Sequence, residues 1–209
     1  MALTKTTTSV DEWAEVAQNG VREGGTIDLT DAYNSALLHI YCCLSSTTAH
    51  TGTEIIVQVS GNTSGDEDWS TFTKLIGPTG TAISVALAGT EAAGQTELSV
   101  TNPATANLDN DGKLKFIENT TVANSEVIYT TTNSGDAGDT ITILDGLTNE
   151  QTTNSNVFDI DSATASAVGS YVIALPDSAL RARVIYNNKY DPDGSTVHTY
   201  SRVTKTTAL

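Results

Sequence analysis

The sequence predicts an all-β protein, a β-sandwich of immunoglobulin-like or jelly-roll-like kind carrying an inserted small β-barrel or meander. Three observations predict it. Thr, Ser, Val, Ile and Tyr dominate the short apolar runs, while Leu, Lys and Arg are sparse. Residues branched at Cβ lose rotamer freedom in a helix and suit a pleated surface. Gly, Asn and Asp cluster between the runs, where tight turns need them. The 209 residues suffice for one large β domain or two small ones, with a core that needs no staple.

The first thirty residues are polar and mixed. Asp11 to Ala17 suggests one helical turn, which Gly20, Gly24 and Gly25 would stop, so this stretch reads as an N-terminal arm with at most a short strand. Ala36 to Leu44 (ALLHIYCCL) is apolar throughout, as in a strand buried on both faces. In Thr53 to Ser60, Ile55, Val57 and Val59 share one face. Trp69 to Leu75 and Ile83 to Leu87 are further strands, separated by the Gly77-Pro78-Thr79-Gly80 turn.

Beyond Thr90 to Gln95 the texture changes. Short strands are expected at Glu97 to Thr101, Lys113 to Glu118, Glu126 to Thr131, Thr140 to Leu144 and Val157 to Ile160. Asp111-Gly112, Gly135 to Gly138 and Asp145-Gly146 supply the turns, a rhythm that fits a small barrel or meander. Longer strands return at Ser170 to Leu175, Leu180 to Tyr186 and Thr196 to Thr204. The expected organisation is therefore a discontinuous sandwich, residues 1–92 plus 166–209 with the N-terminal arm, interrupted by a β module over 93–165. Loop-closure cost grows slowly with length, so such an insertion is tolerated. One continuous sandwich with an elaborated hairpin is the alternative.

The formal net charge is −15, a field that repels nucleic acid and anionic membranes. Five of the ten Lys and Arg residues nevertheless fall after position 180: Arg181, Arg183, Lys189, Arg202 and Lys205. They read either as ordinary strand-surface charge or as a docking face for an acidic partner, whose binding salt would weaken. Trp13 and Trp69 read as core or subunit-contact residues, which places Trp13 beside the five cations in the candidate partner-binding set. Cys42 and Cys43 are the only cysteines, and neighbours on a strand point to opposite faces, so no disulfide framework is expected. No signal peptide or apolar stretch long enough to span a membrane is visible, consistent with assembly in a reducing cytoplasm.

Asn107 to Glu118 (NLDNDGKLKFIE) carries the sharpest motif. Asn107, Asp109, Asp111 and Glu118 occupy oxygen-ligand positions of a calcium loop, with Gly112 at its turn. The absence of flanking amphipathic helices and the adjacent Lys113 and Lys115 favour an Asn-Asp-Gly hairpin turn instead, and no cofactor is expected. Asp159/Asp161 and Asp191/Asp193 are close carboxylate pairs that read as turn residues. Among the three histidines, His39 reads as a core residue, and His50 with Glu54 makes a weak His–carboxylate pair. Hydrolase, phosphate-loop, dinucleotide and zinc-cysteine motifs are absent, so the chain is not expected to be an enzyme.

Three stretches carry a resemblance: GGTIDLTDAYNSALLHIYCCLSSTTAHTGTEIIVQVSGN with DEDW, KLKFIENTTVANSEVIYTTT with TITILDGLT, and ALRARVIYNNKYDPDGSTVHTYSRVTK. Together they resemble the β-rich virion proteins encoded near the major capsid gene of tailed bacteriophages, typically capsid decoration or cement proteins. The resemblance implies a sandwich that binds the exterior of the capsid, contacting the major capsid protein, often as a homotrimer, and that strengthens the shell. It transfers no individual residue. A carbohydrate-binding or adhesin-like module of a phage tail or fibre is the alternative, requiring aromatics exposed in a shallow groove. A glycan hydrolase would require two carboxylates at a fixed separation in a cleft.

Overall fold

The computed structural model describes residues 3–31, 33–66, 68–101, 108, 112–131, 140–160, 165–189 and 195–208. In chain order the strands are β1 (Leu3–Val16), β2 (Val21–Glu23), β3 (Ile27–Asp28), β4 (Ser35–Leu44), β5 (Glu54–Ser60), β6 (Ser70–Ile76) and β7 (Ala82–Ala86). There follow β8 (Glu97–Ser99), β9 (Leu114–Glu118), β10 (Glu126–Tyr129), β11 (Thr140–Thr142) and β12 (Asn156–Ile160), and finally β13 (Val168–Ala174), β14 (Arg181–Asn187) and β15 (Val197–Ala208). A single 3-10 turn, Val122–Asn124, is the only helical element among the described residues.

The fold is an all-β sandwich. Sheet I has the order β1-β15-β4-β13, and sheet II has the order β2-β14-β5-β6 with β3 added on β14, all antiparallel. Alternation along the strands builds the core between them. Leu38, Ile40 and Cys42 of β4 and Val203 of β15 meet Ile55 and Val57 of β5 and Ala182, Val184 and Tyr186 of β14, all withdrawn from water.

Sheet III, in the order β10-β9-β12-β7, and the two-stranded sheet IV, β11-β8, contain the inserted sequence. β9 and β12 are apolar on both faces for a visible reason. Phe116, Phe158 and Ile160 join the core of the sandwich, whereas Ile117 and Val157 pack with Val85, Leu98, Ile128 and Ile141 in a second core. The insert is an open stack of sheets and not a closed barrel.

Two sequence expectations change, at β1 and at β4. The helical turn over Asp11–Ala17 is replaced by β1, a 14-residue strand paired along β15. Register shifts between Ser9 and Asp11 and between Asp11 and Ala14 break its period of two, which hid the strand in the sequence. β4 is buried on both faces only near its end, at Cys42, Cys43 and Leu44; Leu37 is exposed and His39 half-buried, because the insert covers one end of that face. β7 lies before residue 93 yet pairs with β12, Val85 opposite Val157, and so belongs to sheet III. β14 and β15, successive in the chain, lie in different sheets.

Candidate functional site

Glu15 and His198 stand directly opposite each other in the β1–β15 ladder, so their side chains leave the same face of sheet I. The end of β9 brings Glu118 to the same place. His198 Nε2 lies 3.6 Å from Glu118 Oε1 and 3.8 Å from Glu15 Oε1. The imidazole has no exposed surface, its ring centroid is 5.1 Å from that of Phe116, and neither ring nitrogen makes a hydrogen bond. Burial pushes the His198 pKa down to about 4, so the ring is neutral at pH 7. Burial, and then the charge of Glu15, raise the Glu118 carboxyl above its usual value. The two carboxylates open onto a surface depression that Asn119, Thr120, Asn154 and Asn156 also line.

On the same face of sheet I, Trp13 stacks on Tyr200 at 5.3 Å and on Tyr41 at 6.2 Å, and meets Phe116 at 5.2 Å. A notch of about 380 Å³ opens over this trio, with Glu12, Glu126, Asn149 and Arg202 on its walls. The Arg202 Nε is buried there without a hydrogen-bond partner. Glu126 is fixed by the Thr148 N–H at 2.9 Å and the Gln151 amide at 2.5 Å. Trp13 thus joins β1, β15, β4 and the insert while facing an opening.

The five C-terminal cations do not form one face. Arg181 and Arg183 lie on the outer side of sheet II, with guanidinium carbons 4.7 and 4.3 Å from the Trp69 ring centroid. Arg181 also donates to the Asn62 and Gly65 carbonyls at 2.7 Å, and Arg183 pairs with Glu23. Arg202 belongs to the notch on the opposite sheet. Lys205 sits 3.7 Å from Asp31 at the rim of the sandwich, and Lys189 is exposed beyond β14.

Of the calcium-loop residues, Asn107, Asp109 and Asp111 lie outside the described residues, as do Asp161, Asp191 and Asp193. The chain leaves Gly112, whose φ is +70°, directly into strand β9. Lys115 and Asp159 form a fully buried ion pair, with Lys113 3.6 Å from the same carboxylate. Burial and then the Arg202 charge hold His39 below its ordinary pKa. His50 and Glu54 diverge. His50 accepts from the Gly52 N–H at 2.9 Å and reaches Asn188 Oδ1 at 3.1 Å, a buried clamp between loops, while Glu54 pairs with Lys74 at 2.8 Å. Sequence reading missed Glu15 and His198, which come from opposite ends of the chain and meet only through the β1–β15 register.

No protein-family model matches the sequence, and no curated protein matches it either. Among solved structures the chain is similar to one from infectious bursal disease virus strain Gx, at 8% identity and a TM-score of 0.25, over 98% of this chain and 42% of that one. Strain Gt gives 10% identity and 0.24, over 97% and 40%; the VP2 subviral particle of the same virus gives 11% and 0.22, over 97% and 41%. The chain spans about two fifths of the length of these proteins. Superpositions at such TM-scores establish no common fold, and the all-β sandwich stands on this chain's own sheets.

Proposed function

We propose that this chain is a structural, non-enzymatic virion protein that binds the exterior of a phage capsid through the major capsid protein and stabilises the shell, acting as a homotrimer. The observation that carries the reading is the free edge of β1. Leu3 to Ser9 are seven consecutive exposed residues, and among the described residues β1 pairs on one side only, with β15. An edge strand of this length offers a row of backbone donors and acceptors to another chain, and proteins that stay monomeric usually cover or blunt such edges. Lys5 is the single charge between Leu3 and Ser9. The dispersed cations make a weaker docking face, since Arg183 and Lys205 already have acidic partners.

The test is co-sedimentation of the purified protein with undecorated capsids across a salt series, with and without chelator. Stoichiometric binding that survives both salt and chelator, and is lost when residues 2–9 are deleted, is the expected result. An intact protein that never binds capsids overturns the reading. A second reading, a glycan-binding module, is favoured by the Trp13–Tyr41–Tyr200 notch, since stacked aromatics beside carboxylates and an arginine suit a sugar ring. Quenching or enhancement of tryptophan fluorescence by host-surface glycans, abolished in Tyr200→Ala, would support it.

A further inference from the structure

We propose that Glu15, Glu118 and His198 form a binding site for one divalent transition-metal ion of the zinc class, which ties the insert to the sandwich. The three side chains arrive from β1, β9 and β15, two from sheet I and one from sheet III. One ligand atom from each lies within 4.8 Å of the others, and the two distances to His198 Nε2 are 3.6 and 3.8 Å. A tetrahedral ion with bonds of about 2.0–2.1 Å holds its ligand atoms roughly 3.4 Å apart, so small side-chain rotations close the cage.

The independent observation is the state of His198. A buried polar nitrogen with no hydrogen-bond partner is uncommon in folded proteins. His198 has two, in a ring without exposed surface, and Nε2 faces both carboxylates. Metal coordination gives that lone pair a partner.

The chemistry of the set selects the ion. Calcium and magnesium require six or more oxygen ligands, whereas one imidazole with two carboxylates suits zinc or cobalt. Two carboxylates and a neutral imidazole balance a charge of +2. The depression lined by Asn119, Thr120, Asn154 and Asn156 takes in Glu15 and Glu118, so an ion approaches from the carboxylate side and meets the buried imidazole behind them.

The experiment uses the full chain stripped with chelator and titrated with ZnCl₂ or CoCl₂ by calorimetry, with the visible spectrum of the cobalt form and the melting temperature as further readouts. Expected results are one ion per chain, an intense tetrahedral cobalt band, and a zinc-dependent rise in melting temperature. Glu15→Gln and Glu118→Gln should each weaken binding by roughly tenfold or more, whereas Glu97→Gln, on the exposed side of strand β8 in sheet IV, should leave it unchanged. Glu15→Gln alters a half-exposed side chain and keeps its shape, so loss of folding does not confound it. No saturable zinc or cobalt binding, or binding within twofold of the parent in both Gln variants, overturns the proposal. Calcium binding as tight as zinc overturns the choice of ion. Capsid binding is measured separately, so the two readings fail independently.

Discussion

The Asp159 carboxylate receives the Lys115 ammonium in an ion pair from which both side chains are wholly withdrawn from solvent. The pair lies on the inner side of sheet III, where its neighbours along β9 and β12, Ile117 and Val157, are core residues. A buried pair gains little over well-packed apolar residues, because desolvation offsets the attraction, but removing the carboxylate takes from the buried Lys115 ammonium a partner that stands in for water. Asp159→Asn is therefore expected to destabilise the fold by about 1–3 kcal/mol. The double change Lys115→Met with Asp159→Leu should cost far less. Urea unfolding midpoints check both; an Asp159→Asn protein as stable as the parent would contradict the pairing.

Gly24 is expected to tolerate no side chain. A Cβ there would lie 2.3 Å from Asp11 Oδ2. That carboxylate cannot swing aside, since it accepts from the Gly25 N–H at 2.7 Å and the Ser201 hydroxyl at 2.6 Å and sits 3.4 Å from Arg22. Gly24→Ala should destabilise by about 1–3 kcal/mol, the usual cost of overpacking. Gly61→Ala, where nothing lies within 4 Å, is the control expected to be near neutral. Thermal denaturation followed by circular dichroism distinguishes the two.

The strand positions were legible because most strands obey a single physical rule, alternation with polar turns. β14 shows it plainly: Ala182, Val184 and Tyr186 are buried, and the residues between them are not. The rule fails where a third layer intervenes. Bulges in β1 disguise its period, and β4 gains a second buried face only where the insert covers it. The candidate site was illegible for a different reason. Glu118 was noticed as the last position of a local loop motif, but its partners are fixed by long-range register. The basic residues illustrate the converse: Arg183 and Arg202 are near in sequence and lie on opposite sheets.

Cys42 and Cys43 are both fully buried, on opposite faces of β4. Burial pushes the Cys42 thiol up to about 12 and Cys43 well above its ordinary value. Neither should react with iodoacetamide at pH 8 in the native protein, and both should react in denaturant. Stability follows the same shift. Between about pH 9 and 12 the unfolded chain loses the Cys42 proton that the native chain keeps, so stability falls as pH rises, by roughly 1.4 kcal/mol per pH unit for this thiol, and Cys43 acts in the same direction. Below that window both states are protonated and the contribution is fully present. Urea titrations at pH 8 and pH 10.5 should show a smaller loss for Cys42→Ala than for the parent; equal losses would contradict the burial argument.

The insert's boundary decides whether the sandwich can fold without it. Replacing residues 93–164 by a short Gly/Ser linker removes β8 to β12 but leaves β7, which has lost the β12 ladder that held it. Val85 and Leu87, core residues of the insert, would then face water. Starting the replacement at residue 81 removes them, and the strands that flank the gap stay tied to each other, since the Tyr171 hydroxyl of β13 donates to the Ile76 carbonyl at 2.6 Å. Either deletion uncovers Phe116's place against Trp13 and His198, so the remaining unit should be less stable than the parent. We expect the 81–164 replacement to keep a cooperative thermal transition and the 93–164 replacement to melt lower and more broadly. Circular dichroism melts of the two proteins side by side make the comparison. If both are unfolded at 20 °C, the sandwich depends on the insert for its core, and the chain is one cooperative unit rather than two.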